Sequence, residues 1–300
     1  MPGPDFPTGA LIMGRSGIRS AYATGRGSII MRSRTHIEEF KKDREAIVIT
    51  EIPYQTNKAR LHERIAECAR DKLVEGISET RDESDREGVR VVIELKRDAQ
   101  ADVVLNQLFR HTQMQTSFGM NMLAINAGKP EQLNILQVLQ AFLAFREEVV
   151  VRRTVYLLNQ ARNRAHVLVG LAVAVTNIDA VIKMIRHAPD PQVARQQLMA
   201  EDWSVGDVGP YIGLIDEPGR GVSEAGTYKL SDGQAKAILA LQLHRLTGLE
   251  REKIVAELQE ISDKIKDYLD ILGSKARVIE IIRGEMEGVL EQFDTPRRTQ

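Results

Sequence analysis

The carboxyl-terminal part of the chain carries an apolar repeat that strongly restricts its fold. Starting at Ile254, apolar or aromatic residues recur in alternating steps of four and three. The series continues through Leu258, Ile261, Ile265, Tyr268, Leu272, Lys275, Ile279, Ile282, Met286, Val289 and Phe293. Its exception, Lys275, follows Gly273, and we expect a local irregularity there. A 4–3 repeat of this length predicts one side of a coiled coil, which needs a partner helix.

Residues 134–176 provide a partner of suitable length, because they contain no proline and one glycine. Within them, residues 146–166 carry five arginines against two glutamates, whereas residues 250–294 carry twelve acids against seven bases. Opposite charges favour pairing of two such helices. Because residues 177–249 lie between them, we expect the helices to run antiparallel and to carry a small all-α knob.

Residues 1–133 mix strand and helix signals. Strands are predicted over 28–37 and 46–52, joined by the polar turn KKDR, and over 77–81 and 89–97, joined by the charged turn DESDREG. A further strand covers 118–126, and helices cover 57–73, capped by Thr56 or Asn57, and 98–112. The predicted fold class is therefore α+β, a mixed α/β domain followed by a long antiparallel coiled coil with a knob.

The predicted segments are an α/β domain over 1–133, an ascending helix over 134–176, a helical domain over 177–249, a returning helix over 250–293 and a linker over 294–300. The single cysteine, Cys68, excludes an internal disulfide and a CxxC metal site, and we expect it in the core. The six histidines show no HxxxH or HExxH spacing, which argues against a zinc site. We therefore expect no metal site in this chain.

The amino-terminal region contains an unbalanced set of cations. Five arginines and no acid lie between Phe6 and Ile37. A local basic surface of this kind suits contacts with DNA phosphates, although a solvated face beside acidic residues 38, 39, 43 and 45 is the alternative. The candidate DNA contacts are Arg15, Arg26, Arg32, Arg34, Lys41, Lys42, Lys58 and Arg60.

Two stretches resemble catalytic sites but have simpler interpretations. In ITEIPYQTNKARL (49–61), Tyr54 follows a strand and a proline, and packing is a more common role for such a tyrosine than nucleophilic attack. In RDESD (81–85), the acids Asp82, Glu83 and Asp85 could bind Mg²⁺, but a charged hairpin turn is the better interpretation. We select no catalytic residue.

Several segments resemble the DNA gyrase A subunit family of type IIA topoisomerases: GPDFPTG (3–9), TGRG (24–27), EIPYQTNKARL (51–61), SFGMNMLAINAGKP (117–130), IRHAP (185–189) and QAKAILALQLHRLTGLE (234–250). The resemblance covers nearly the whole chain. It implies a tower domain that contacts duplex DNA, a coiled coil and a terminal homodimer gate. The candidate gate residues are Ala237, Leu241, Leu243 and His244.

The resemblance also implies what this chain leaves to other parts of the enzyme. The family's catalytic tyrosine lies in an upstream winged-helix domain, its DNA-wrapping propeller follows FDTPRRTQ, and Mg²⁺ and ATP act through the gyrase B subunit. We therefore expect a piece of a cytoplasmic, nucleoid-associated gyrase that supports ATP-dependent negative supercoiling by double-strand passage. Its expected partners are duplex DNA, a second copy and the gyrase B subunit, with no membrane contact, and we expect it to be inactive alone. The alternatives are the A subunit of topoisomerase IV, which decatenates DNA, and a non-enzymatic coiled-coil scaffold.

Overall fold

The computed structural model describes residues 2–41, 44–215, 221–240 and 248–300. It divides into two compact units: unit 1 comprises Met1–Leu143 and Phe293–Gln300, and unit 2 comprises Ala144–Gln292. Unit 2 is thus inserted into the sequence of unit 1. The chain mixes α and β structure and contains one long helix, in agreement with the predicted α+β class. The five-segment domain division remains a prediction.

Unit 1 carries the sheets. Its strands are β1 (Leu11–Met13), β2 (Arg26–Arg32), β3 (Arg34–Lys41), β4 (Arg44–Glu51), β5 (Ile77–Asp82), β6 (Val91–Leu95), β7 (Gln115–Asn121), β8 (Leu123–Asn126) and β9 (Lys129–Gln132). Its helices are α1 (Ser16–Thr24), α2 (Lys58–Arg70) and α3 (Ala101–His111), and α4 (Ile135–Thr176) begins there. The sheet orders are β1-β2-β7, β3-β4-β6-β5 and β8-β9, and every described pairing is antiparallel.

The four-stranded sheet is covered by α2 and α3 through an apolar core. Ile47 and Ile93 from the sheet pack with Leu61 of α2 and Leu108 of α3, and all four are at most 1% exposed. Helix α2 begins as predicted, because the Asn57 side chain accepts a hydrogen bond from the Arg60 amide. Alternation along β4 and the 3.6-residue period along α2 produce these buried faces.

The predicted strand over 28–37 is wrong in one respect, because it is two strands in two different sheets. Strand β2 ends at Arg32, and β3 begins at Arg34. Ser33 between them is 1% exposed, and its amide donates to the Met114 carbonyl oxygen at 2.7 Å. The predicted strand over 118–126 is likewise divided, into β7 and β8. Both breaks depend on long-range pairing, which local propensity does not contain.

Unit 2 is mainly helical. It contains most of α4, then α5 (Ile178–His187), α6 (Pro191–Ala200), a short 3₁₀ turn (Gly206–Val208), α7 (Gly209–Ile215), α8 (Asp232–Leu239), α9 (Gly248–Gly273) and α10 (Lys275–Phe293), whose last residue belongs to unit 1. Strands β10 (Trp203–Ser204) and β11 (Thr227–Tyr228) form a small ribbon. The prediction of an all-α knob is therefore wrong at this ribbon, where buried Trp203 and Tyr228 lie opposite each other.

Helix α4 contacts α9 and α10 in the opposite chain direction. Arg164 lies 2.7 Å from Glu257 of α9, whereas Arg153, eleven residues earlier, lies 2.5 Å from Glu285 of α10. Buried residues of both segments form the apolar layer between them, including Val150, Leu258 and Ile265. The opposite charges of the two stretches therefore meet as ion pairs.

The irregularity expected near Gly273 is present, because α9 ends at Gly273 and α10 begins at Lys275. The predicted series is wrong at two positions, one on each side of this break: Ile271 is buried where Leu272 is predicted, and Val278, 5% exposed, is buried where Ile279, 49% exposed, is predicted. The buried residues run Ile271, Val278, Ile282, one residue earlier than predicted at the first two of these positions. A three-residue step at the end of α9 rotates the apolar side of the helix, as a stammer does in a coiled coil.

Two helices of unit 2 begin with the capping residues that their sequences contain. Asp190 caps α6 by accepting from two backbone amides, with Pro191 at the first helical position. Ser231 and Gln234 form the capping box of α8.

Within the described ranges, no single helix is long and apolar enough to cross a bilayer. One pair of helices, α4 with α5, is long and apolar enough when taken together, but the pair is bent by 91°.

Candidate nucleic-acid interface

Helix α1 packs closely against strand β2 because two glycines at the contact have no side chains. A Cβ atom at Gly17 would collide with the Ser28 carbonyl oxygen, and one at Gly27 would collide with the Gly17 carbonyl oxygen. Gly25 ends the helix with φ +81°, in the left-handed conformation that glycine adopts without strain. Only the opposite side of α1 is therefore available to solvent.

That solvent side is basic. Arg15, at the helix start, and Arg19, one turn later, are both exposed, and Arg26 is exposed at the start of β2. The four-residue spacing places the first two on the same helix face. Within the described part of the chain, none of these three side chains forms an ion pair or a hydrogen bond. We call Arg15, Arg19 and Arg26 the free arginine face.

Arg32 is a candidate that the structure places in a structural role. Its guanidinium donates to Gln115 Oε1 from Nε at 2.8 Å and from Nη2 at 2.6 Å. Its central carbon lies 4.4 Å from the centre of the Phe109 ring, a cation–π contact. The side chain therefore joins β2 to β7 and α3, and two of its nitrogen atoms donate hydrogen bonds inside unit 1.

Arg34 and Lys58 already have acidic partners. Arg34 Nε lies 3.1 Å from Glu51 Oε1, and Lys58 Nζ lies 2.7 Å from Asp82 Oδ2. The hydrogen bond from Lys58 is the largest of the contacts that lower the pKa of Asp82 from its ordinary value of 3.8 to about 2. Arg60, two residues after Lys58, is exposed and forms no ion pair within the described ranges.

The remaining candidates are less well defined. Lys41 ends β3, opposite Arg44, and its side chain lies outside what the structure describes, as does all of Lys42. Among the gate candidates, Ala237 is half-buried on α8. Leu241, Leu243 and His244 lie outside the described residues.

The acidic turn forms a hairpin, as the sequence predicts. Glu83 lies 3.1 Å from Arg90, and Asp85 accepts a hydrogen bond from the Glu87 amide at 2.8 Å. With Asp82 paired to Lys58, each acid of the turn has a partner within the protein. No group of three metal-ligating side chains is present among the described residues. We assign no chemistry to this turn.

Tyr54 and Cys68 both have packing roles, as predicted. The Tyr54 ring stacks on Phe6 with centroids 5.3 Å apart and meets Phe118 edge-on at 5.9 Å. Cys68 is fully buried in the core beneath the four-stranded sheet, and burial raises the pKa of its thiol. A raised thiol pKa disfavours the reactive thiolate of Cys68.

Arg19 is one of the five arginines between Phe6 and Ile37, but it is not among the candidate DNA contacts that the sequence predicts. The signal was available, because Arg15 and Arg19 are four residues apart in a segment that ends at a Gly-containing turn. The shared face of Arg15 and Arg19 is not evident from the sequence, which predicts no helix over 16–24. The TGRG segment marks the turn from α1 to β2.

Comparisons with known proteins identify the family of the chain. A sequence model that describes the A subunit of DNA gyrase and topoisomerase IV matches residues 1–287. The DNA gyrase A subunit of Granulibacter bethesdensis is 56% identical over 300 residues, which cover 100% of this chain and 32% of the relative. The DNA gyrase A subunit of Rickettsia felis is 51% identical over 297 residues, or 99% of this chain and 33% of the relative.

A third relative, the DNA gyrase A subunit of Pseudomonas aeruginosa, is 49% identical over 319 residues, which cover 100% of this chain and 34% of the relative. This chain thus spans about a third of the length of the curated relatives that it matches. The match extends across both units and leaves the scaffold alternative without support. The chain belongs to the family of DNA gyrase and topoisomerase IV A subunits.

Proposed function

We propose that this chain is a part of the DNA breakage–reunion subunit of a bacterial DNA gyrase. In the complete enzyme it supports ATP-dependent negative supercoiling by double-strand passage. The observation that carries the proposal is the continuous identity of about half of all residues with gyrase A subunits, over the whole chain. No observation favours topoisomerase IV over gyrase.

Unit 1 supplies the DNA contact in this proposal and corresponds to the tower domain. The free arginine face is exposed and lacks acidic partners among the described residues, so its charge is available to phosphate oxygens. Arginine on a rigid helix suits this role because its planar group binds phosphate in a fixed geometry. Arg60 adds a fourth exposed cation, whereas Arg32, Arg34 and Lys58 act mainly within the fold.

Unit 2 supplies the lever and the dimer gate in this proposal. We interpret the antiparallel packing of α4 with α9 and α10 as the coiled coil, and the region from α5 to α8 as the gate domain. Two copies would associate through the gate, with Ala237, Leu241, Leu243 and His244 as candidate contacts. Sedimentation of the chain at several concentrations measures this self-association.

The covalent chemistry belongs to other parts of the enzyme. No nucleophile is assigned to the chain, and we propose that the catalytic tyrosine lies in a different part of the same polypeptide. Mg²⁺ and ATP act through the gyrase B subunit, with which the gyrase A subunit forms a heterotetramer. The proposed location is the bacterial cytoplasm, at the nucleoid. The chain alone is expected to neither cleave nor relax DNA.

An exchange experiment tests the proposal. In the Granulibacter bethesdensis relative, the matching 300 residues are replaced by this chain, and supercoiling is measured with that organism's gyrase B subunit. The proposed function predicts ATP-dependent supercoiling by the chimaera. A matched chimaera with Arg15→Gln and Arg19→Gln is expected to fold and dimerise but to supercoil more slowly. A folded, dimeric chimaera with no supercoiling would contradict the proposal.

A further inference from the structure

Two sequence segments without an assigned role meet in unit 1. One is the loop GPDFPTGA, residues 3–10, which we call the receptor loop. The other is DTPRRTQ, residues 294–300, which follows α10 and which we call the strap. The Gln300 amide donates to the Ala10 carbonyl oxygen at 3.1 Å, and the Ile12 amide donates to the Gln300 carbonyl oxygen at 2.7 Å. The backbone of Gln300 thus pairs with Ala10 and Ile12 at β1, and backbone pairing of this kind is one way in which proteins bind peptides.

The centre of the contact is a slot for one hydroxyl group. Thr299 is 1% exposed. Its Oγ1 accepts a hydrogen bond from the Phe6 amide at 2.8 Å and donates to the Gly9 carbonyl oxygen at 3.0 Å. A valine side chain has the same shape but would leave both backbone groups unpaired in a buried place, which costs more than the bonds themselves contribute.

Asp5 holds the strap backbone beside this slot. Its Oδ1 atom accepts from the Thr299 amide at 2.8 Å and from the Arg298 amide at 3.1 Å. These bonds, the Thr299 amide first, lower the pKa of Asp5, although burial acts in the opposite direction. The carboxylate therefore binds two consecutive backbone amides of the strap, whatever the side chains of those residues.

The two arginines of the strap donate hydrogen bonds to backbone carbonyl oxygens of the receptor loop. Arg297 donates to the Gly3 carbonyl oxygen at 2.8 Å and to that of Pro4, and Arg298 donates to the Pro7 carbonyl oxygen at 3.1 Å. Prolines have no amide hydrogen, so a proline-rich loop presents more acceptors than donors. Guanidinium groups only donate, and they donate in several directions. The pairing of donors and acceptors gives the contact chemical specificity.

The receptor loop is held in place by groups other than the strap. The Phe6 ring packs on Tyr54 and on Phe118, whose centroid is 5.0 Å away. The Ala10 amide donates to Glu51 Oε2 at 2.5 Å, and Gly9, with φ +69°, lies where a Cβ atom would collide with that carboxylate. These contacts come from strand β4, the residues after it and β7, and none of them involves a strap residue, so we expect the loop to keep its shape without the strap.

We propose that the receptor loop is a binding site for an Arg-Arg-Thr segment, and that the strap is its exchangeable occupant. Because unit 2 lies between Leu143 and Phe293 in the sequence, the strap is the anchor of the second chain connection into unit 1. Release of the strap frees this connection without unfolding unit 1. The proposal goes beyond the proposed function and does not depend on DNA binding.

The test uses three variants of the whole chain. Thr299→Val damages the strap and leaves the receptor loop intact, Asp5→Ala damages the receptor loop, and Asp294→Ala is a control in an exposed strap residue with no hydrogen bond in the described part of the chain. The first readout is hydrogen exchange at the amides of Ile12, Thr299 and Gln300. We expect exchange about tenfold faster or more in the first two variants, with no change in the control.

The second readout is binding of a fluorescent DTPRRTQ peptide, followed by anisotropy. The peptide should bind the Thr299→Val chain saturably, bind the unmodified chain weakly because its own strap competes, and not bind the Asp5→Ala chain. Thermal unfolding and a Thr299→Ser variant, which retains the hydroxyl, separate strap release from misfolding. Equal hydrogen-exchange rates in all chains would overturn the proposal. It would also be overturned if the Thr299→Val chain is folded and has a released strap but does not bind the peptide.

Discussion

Lys58 Nζ lies 2.7 Å from Asp82 Oδ2 and joins the first turn of α2 to the end of β5. Both side chains are about one-third exposed. The ion pair therefore occupies the ammonium group of Lys58, a candidate DNA contact, although the side chain remains partly exposed. Whether a basic residue is available to phosphate depends on such pairings, which are set by the fold.

Removal of the acid should make Lys58 available. We expect Asp82→Asn to tighten duplex DNA binding modestly and to steepen its salt dependence, by up to about one phosphate contact. Binding measured between about 50 and 200 mM salt, the range of that dependence, checks this. The matched control is Asp98→Asn, which removes the same charge from an exposed residue without an ion pair in the described ranges. An equal change in both variants would show that only net charge matters.

A carboxylate in another ion pair predicts how unit 1 responds to acid. Hydrogen bonds from Arg90 and then His36 lower the pKa of Glu38 from its ordinary value of 4.5 to about 2. A carboxyl whose pKa is lowered by folding stabilises the protein above its unfolded pKa, and that stabilisation is lost as pH falls through the folded pKa. Glu38 therefore contributes to the loss of stability between about pH 4.5 and pH 2.

Glu38→Gln should reduce the slope of unfolding free energy against pH in this window and lower stability at neutral pH. Urea unfolding at a series of pH values measures both effects. Glu39→Gln, a change at the exposed neighbouring residue, is the control. An unchanged slope in Glu38→Gln would mean that solvent screening removes the contribution of this pair.

Two isoleucines three residues apart test the shift in the apolar series of α10. Ile282 is 3% exposed, whereas Ile279 is 49% exposed. Ile282→Ala should cost about 2–5 kcal/mol of unfolding free energy, because it removes a buried side chain and leaves a cavity. Ile279→Ala should cost less than about 1 kcal/mol. Equal losses in denaturant titrations would support the unshifted series that the sequence predicts.

The sequence predicts best where a local interaction decides the structure. The caps at Asn57 and Ser231, the Asp190–Pro191 helix start and the break after Gly273 each depend on residues within a few positions. The charge asymmetry between 146–166 and 250–294 also favours pairing of the two helices, and the position of residues 177–249 between them predicts the antiparallel direction. Family resemblance adds the expected function.

Long-range pairing explains most of what the sequence does not reveal. Ser33 interrupts a strand because of Met114, eighty-one residues away. The ion pairs of Arg34 and Lys58, like the strap contact of Asp5 with Thr299, join residues that no local pattern connects. Of the eight candidate DNA contacts, only Arg15, Arg26 and Arg60 have described, exposed side chains without ion pairs in the described ranges. The sequence predicts the basic region, whereas the fold determines which of its basic side chains are exposed and without an acidic partner.

The central claim, that the free arginine face binds duplex DNA, is tested most directly by the salt dependence of binding. We compare the unmodified chain with Arg15→Gln/Arg19→Gln and with the charge-matched control Arg97→Gln/Arg110→Gln, whose arginines are exposed elsewhere in unit 1. The slope of log binding constant against log salt is negative, and its magnitude should decrease by about two in the first variant, because each lost phosphate contact removes about 0.9. It should change little in the control. Binding that is insensitive to salt, or equal slopes in both variants, would contradict the account.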